Sequence, residues 1–365
     1  MQLRTEIALA MQDAGEPGRA LDELLSISDG YRRVVGHEDI LTLTAEVNLA
    51  AAYQSVGKYE DSIGILRRAL PALKRAAGND SPVTLAAKNN LGSGLRAVGE
   101  YDKAISLLRE AVEGYEQILG AHHPETLAVR NNLASLYLAK GDMRNAQSAF
   151  EKAVSGYRDT LGPYNVDTLR AMNNLALVYS RNGRPDLAAQ LYDSVLTVRR
   201  KFYSETDAEI RHAVVNLASV YESVGEYGQA LNLLLRHLDA YKHLPDRSVG
   251  EEEWALKLRV LAVYKRQGQF QDAIEFLHDE FVEPELRDLT PDEHAATLAI
   301  GAVIYFEAGR RAESADLLRR SRIAAESIPE GSPGGNLLDS AVKLVNATVD
   351  PSWRLTRRTG GENAS

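Results

Sequence analysis

The stretch 131-NNLASLYLAKG-141 decides the fold. Two asparagines stand in front of an apolar stripe, although the short amide competes for nearby backbone groups and makes asparagine a poor helix former. Leu133, Ala134, Leu136 and Tyr137 follow at helical spacing, and Gly141 closes the segment. The same order returns in both directions along the chain. Gly15, Gly57, Gly99, Gly141, Gly183 and Gly225 are each 42 residues apart. Leu49, Leu91, Leu133, Leu175 and Leu217 keep that step, as do Asn48, Asn90, Asn132, Asn174 and Asn216. So do Tyr53, Tyr137, Tyr179 and Tyr221, with Leu95 in the remaining place, and Tyr31, Leu73, Tyr115, Tyr157 and Tyr241, with Arg199 as the exception. A fixed period of this length marks a repeat architecture, in which a unit buries its apolar face only against its neighbours.

Each unit predicts two helices. In the first, Pro124 suits the opening position, where its missing N–H costs nothing, and Gly141 ends the helix by turning left-handed. The second runs through 142-DMRNAQSAFEKAVSGYRDTL-161, with Ala146, Ala149, Phe150, Ala153, Val154 and Tyr157 as its stripe. Leu119-Gly120 and Leu161-Gly162 close the units. Small residues at Ala50, Gly92, Ala134, Ala176 and Ala218 let paired helices approach closely.

This pattern resembles the tetratricopeptide repeat (TPR). The family's signature falls on Leu49, Ala50, Tyr53, Gly57, Tyr59 and Ala69, and again on Leu91, Gly92, Gly99, Tyr101, Ala104 and Ala111. The 42-residue period and the NNLA element look like the kinesin light chain subtype. The resemblance implies an all-α, right-handed α-solenoid of helix-turn-helix units with a C-terminal capping helix. The expected divisions are a partial unit over 1–35, five regular units over 36–243, two divergent units over 244–325, a loop and capping helix over 326–350, and a disordered tail over 351–365 anchored only by Trp353. The divergent units are marked by Tyr264, Gly268 and Ala273, then by Tyr305, Gly309 and Ala315.

In such a solenoid the first helix of each pair lines the concave face. Asn132 precedes the core leucine by one residue and is therefore rotated about 100° away from it, toward the groove. The resemblance implies that this column, Asn48, Asn90, Asn132, Asn174 and Asn216, contacts ligand. An amide offers donors and an acceptor that match a peptide unit. The adjacent Asn89, Asn131 and Asn173 are read as ties between repeats by side-chain hydrogen bonds, the alternative for both columns being a habit of the subfamily. By spacing, Arg170, Arg181 and His212, with Arg96 and Arg130 nearby, make the central groove neutral to basic, which suits an acidic peptide.

Composition narrows the function. The 365 residues carry a net charge of −9, with 44% apolar and 25% charged residues and no cysteine. That excludes disulfide, zinc-thiolate and thiol chemistry and argues against nonspecific nucleic-acid binding. No apolar run is long enough to span a bilayer, and the N-terminus lacks a signal-peptide pattern, so the expectation is a cytoplasmic protein with no membrane partner. There is no phosphate-binding loop; the glycines of 331-GSPGGN-336 read as a loop. The histidines lack metal spacing, and His122-His123 belongs to an inter-repeat turn. No catalytic constellation, metal or cofactor is expected. The function implied is a non-enzymatic scaffold that binds a protein segment or extended peptide. The alternatives are the sensor or autoinhibitory region of a larger signalling protein and a receptor for a small signalling peptide. The first helix, with Ile7, Ala8, Leu9 and Met11, is expected to have no preceding cap and to form a homodimer contact or dock an upstream domain.

Overall fold

The computed structural model describes residues 2–243, 250–281, 289–326, 332, 336 and 338–342. Sixteen helices occupy the described residues up to 326, in eight consecutive pairs, with no strand among the described residues. They are α1 (Gln2–Asp13) and α2 (Pro17–Val35), α3 (Ile40–Ser55) and α4 (Tyr59–Ala77), α5 (Pro82–Ala97) and α6 (Tyr101–Leu119), α7 (Pro124–Lys140) and α8 (Met143–Leu161). There follow α9 (Val166–Arg181) and α10 (Pro185–Arg199), α11 (Ala208–Ser223) and α12 (Tyr227–Tyr241), α13 (Glu251–Gln267) and α14 (Phe270–Glu280), and α15 (Pro291–Glu307) and α16 (Arg311–Ala325). The chain is an all-α repeat solenoid. It divides into two compact units, Met1–Val198 and Arg199–Ser365.

The turns explain why the period is so strict. Within each hairpin the closing glycine is left-handed, with φ of 83° at Gly141, a region that L side chains rarely enter. Between hairpins, Gly120 has φ 91° and ψ 160°, a conformation open essentially to glycine. Its carbonyl accepts from Thr126 Oγ1 at 2.8 Å, and the same bond recurs from Thr168 to Gly162 at 2.8 Å and from Thr42 to Gly36 at 2.6 Å. The residue opening each following helix is a side-chain cap: Asp39, Ser81, His123, Asn165 and Asp207 each accept from a backbone N–H of the first turn. His123 does this with Nδ1, 3.2 Å from the amide of Glu125. Capping therefore accounts for that histidine.

In the first unit, Leu43, Leu85, Leu127 and Leu169 alternate with Leu66, Leu108, Phe150 and Tyr157 in a core that is continuous from α3 to α10. Gly114 and Gly156 admit Leu85 and Leu127: a Cβ on Gly156 would stand 2.4 Å from Leu127 Cδ2. Three of the seams between hairpins also carry their own polar pair. Glu46 bonds Arg32 at 2.8 Å, Arg130 bonds Glu116, and Arg158 lies 3.5 Å from Met172 Sδ, all fourteen residues apart. The fully buried Lys88 instead turns to Glu110, in ion-pair contact at 3.1 Å but without hydrogen-bond alignment.

In the second unit, Arg199 replaces the recurring tyrosine and holds the carbonyl of Glu209 at 2.9 Å and its carboxylate at 2.6 Å. Ser204 stands where a turn glycine would be, and Arg200 pairs with Glu205 across this longer turn at 2.7 Å. A buried charge cluster joins α13 to α14: Lys257 Nζ lies 2.9 Å from Glu253 and 3.0 Å from the carbonyl of Glu280. Residues 338–342 are helical, and Leu338 and Ala341 pack with Ala299, Ala302 and Leu318. That is the place expected for a capping helix. Leu337, Leu344, Val345, the loop at 327–331 and the tail over 351–365 with Trp353 lie outside the described residues.

Candidate functional site

The asparagine column lies on the first helix of each pair, and the leucine column beside it fixes its direction. Leu49, Leu91, Leu133 and Leu175 are buried, whereas Asn48, Asn90, Asn132 and Asn174 are half-buried. One turn further on, Ala51, Ser93 and Ser135 are also half-buried. The face is a row of amides flanked by small side chains, which lets another backbone come close.

The two asparagine columns are not separate devices. Asn132 Nδ2 donates to Asn89 Oδ1 at 3.0 Å, and Asn89 Nδ2 donates to Asn90 Oδ1 at 3.3 Å. The network therefore runs from α7 to α5 through both columns. It leaves the Asn90 amide with donor capacity and the Asn132 amide with acceptor capacity. At the next seam the corresponding bond is absent: Asn131 Oδ1 is buried with no partner among the described residues. Gln54 adds a cross-repeat tie, donating to the carbonyl of Asn90 at 2.7 Å.

The charged candidates separate. Arg170 is exposed and pairs with Asp167 one turn earlier at 3.2 Å. Arg181 is exposed at the end of α9. Arg130 does not face the groove: it is drawn into the seam by Glu116 and donates to the carbonyl of Ala121 at 3.2 Å. Its position, three residues before the core leucine, lies on the inter-repeat side of the helix.

In the second unit, Asn216 is half-buried and His212 exposed, both on α11. His212 lines a cavity of about 430 Å³ between α11 and α13, with Arg211, Val215, Glu252 and Arg259. Arg259 occupies the position that asparagine holds in the regular units, one residue before the buried Val260. Glu222 fixes it at 2.6 Å and also holds Arg266, and Arg211 pairs with Glu252 at 3.3 Å. Sequence reading passed over Arg259 because the register moves by one residue between α11 and α13. A larger cavity, about 690 Å³, lies among α14, α15 and α16, lined by Leu277, Phe281, Leu298, Leu317 and the hydrogen-bonded pair His278–Tyr305. There Gly301 stands four residues before the signature Tyr305, the place of the core leucine, and Leu277 and Leu317 close in on it.

Among the described residues no group of histidines and carboxylates has the arrangement to hold a metal, and no helix is long and apolar enough to cross a membrane.

Tetratricopeptide repeat models match residues 42–83 and, in overlapping segments, 83–159, 131–201 and 167–243. The chain belongs to the tetratricopeptide repeat family. No curated protein sequence matches it. Among solved structures, it is similar to a substituted form of a Podosopora anserina protein of nearly identical TPR-like repeats, described as a kinesin light chain. That similarity is 25% identity over 54% of this chain and 93% of the other, with a TM-score of 0.50. BtubC (BKLC) from P. vanneervenii shares the fold at 18% identity over 64% of this chain and 96% of its own, TM-score 0.54. So does the apo quorum sensor NprR from B. thuringiensis, at 15% identity over 89% of this chain and 87% of its own, TM-score 0.58. The kinesin-light-chain-like subtype inferred from the 42-residue period thus agrees with the structural neighbours.

Proposed function

We propose that this TPR protein is a non-enzymatic cytoplasmic scaffold that holds an extended segment of a protein partner against the first helices of its repeats. The observation that carries this reading is the amide row of Asn90, Asn132 and Asn174, with Ser93 and Ser135 one turn beyond the first two and Leu177 beyond the third. After the internal bonds are made, Asn90 retains donors and Asn132 an acceptor, the complement of one peptide unit. Asn48 extends the row at its start, and Asn216 presents the same amide on α11 of the second unit. Arg170, Arg181 and His212 favour carboxylate side chains on the bound segment. On this reading the five 42-residue units over 36–243 form the binding region, and the divergent units after them the flank.

The test is selection of peptides from a random library on the full chain, followed by affinity measurement with Asn90→Ala and Asn174→Ala. Extended peptides enriched in Asp and Glu are expected, bound at least tenfold more weakly by the double variant, whose melting temperature should fall only by what the lost Asn89–Asn90 bond contributes. Equal affinity for both proteins would move the site off the amide row.

One observation favours a second contact as well. Ile7 is 45% exposed, whereas Leu49, Leu91, Leu133, Leu175 and Leu217 in the same column are 2–7% exposed. Leu3 is uncovered beside it. This stripe suits a homodimer contact or docking to another domain of a larger signalling protein. Sedimentation of the chain and of Ile7→Lys over a range of concentrations tests it: the wild type is expected to self-associate and the variant to stay monomeric.

A further inference from the structure

His237 is fully buried in α12, in a column whose other members are Ile27, Ala69, Ala111, Ala153 and Val195. Neither ring nitrogen has a hydrogen-bond partner, and neither has the nearby hydroxyl of Tyr241, whose ring meets the imidazole edge-on at 5.6 Å. A neutral imidazole has one donor and one acceptor, so both are spent without return here. The nearest carboxylate, Glu205, stands 3.9 Å from Nδ1 and is already committed to Arg200 at 2.7 and 3.2 Å. Arg211 adds positive charge from α11. From the α13–α14 side, Glu280 meets Lys242 just beyond the last turn of α12 and is shared with Lys257, which also holds Glu253.

We propose that His237 makes the α11–α12 hairpin an acid-sensitive latch, closed while the imidazole is neutral and released when a proton is taken up. Burial holds the His237 imidazole below its ordinary value of 6.5, and the pull of Glu205 only partly offsets this against Arg200 and Arg211. The sign follows from proton counting. Below pH 6.5 the opened hairpin binds a proton that the closed one refuses, so the closed form is fully stable above that pH and loses stability as pH falls toward the folded value. Over that window the opening equilibrium rises by up to about tenfold per pH unit. Because α11 also carries His212 and Asn216, the latch bears on the face that they share.

Amide hydrogen exchange on the full chain, corrected for intrinsic rates, reads the opening directly. Between about pH 6.5 and 5.5, protection of 208–241 is expected to fall several-fold, while α3–α8 stay unchanged. His237→Val, which restores the aliphatic residue found in this column at Val195, is expected to abolish that fall. His237→Gln, a neutral amide, is the second arm in case the valine packs badly, and it too is expected to be insensitive. The His237 ring resonance should titrate below 6.5. An equal fall in wild type and both variants, or a ring that titrates at or above 6.5, overturns the proposal.

Discussion

Gly64 and Gly156 both lie inside second helices of the first unit, α4 and α8, yet replacing each by alanine should change stability in opposite directions. Alanine is favoured over glycine in a helix interior by about 1 kcal/mol. At Gly64 a new Cβ meets nothing within 4 Å, so the whole gain should appear as stabilisation. At Gly156 the same Cβ stands 2.4, 3.1 and 3.3 Å from three atoms of Leu127, which is itself fully buried. Ordinary contact needs roughly 1 Å more, and overpacking of this kind costs about 1–3 kcal/mol. The net expectation for Gly156→Ala is a loss of about 1 kcal/mol. Urea unfolding followed by far-ultraviolet circular dichroism measures it; tryptophan emission does not, because Trp254 and Trp353 both lie outside the first unit. Leu127→Ala should cost about 2–5 kcal/mol alone and less in the Gly156→Ala background, with a coupling above about 0.5 kcal/mol. Stabilisation of Gly156→Ala equal to that of Gly64→Ala would refute the close approach of α7 and α8.

Leu133→Ala should cost about 2–5 kcal/mol by the same measurement; a loss below about 1 kcal/mol would mean that the leucine column is not core. Asn132→Ala should lower stability by about 0.5–1.5 kcal/mol, because the Nδ2 bond to Asn89 is lost, whereas Asn174→Ala should leave stability unchanged or slightly raised, checked by thermal melts of each. Lys257→Met should destabilise the second unit by about 3–5 kcal/mol, since Glu253 would be left buried without its cation while Glu280 keeps Lys242; Trp254 emission in urea reports this. Burial pushes the hydroxyls of Tyr115, Tyr157 and Tyr192 up to about 12. The unfolded chain ionises first, near 10, so the first unit should lose stability as pH rises from 10 toward 12, in alkaline melts that Tyr157→Phe makes shallower.

The repeat was legible because glycines at 36, 78, 120 and 162 and at 57, 99, 141 and 183 sit in conformations that almost no other residue adopts, so the period cannot drift. The cap column Asp39, Ser81, His123, Asn165 and Asp207 was harder to see, since four residue types do one job there. The asparagines were legible as a column but not as a network. Their bonds cross between helices 43 residues apart, and sequence spacing cannot tell an amide turned outward from one turned toward its neighbour. Arg130 was misplaced toward the groove because only the structure reveals that Glu116 draws it into the seam. His237 was invisible for a related reason: one histidine in an alanine column looks like ordinary variation until both nitrogens are found buried without partners. Arg259 was missed where the register shifts by one residue.

The seam pairs of the first unit have a bearing on how such a chain finds its own order. Near-identical hairpins invite docking of the wrong neighbours during folding. Here three seams have distinct locks: Arg32 meets Glu46, Glu116 meets Arg130, and Arg158 meets Met172, while at the α4–α5 seam Lys88 turns away to Glu110. If α2 docked where α6 belongs, Arg32 would face Arg130; Arg32 would keep Asp29 on its own helix, but Arg130 would have lost Glu116. Leaving one such charge buried and unmatched costs about 3–5 kcal/mol, a sizeable part of a domain's whole stability. The 42-residue rhythm makes the hairpins alike in shape, and these few residues give each a single address.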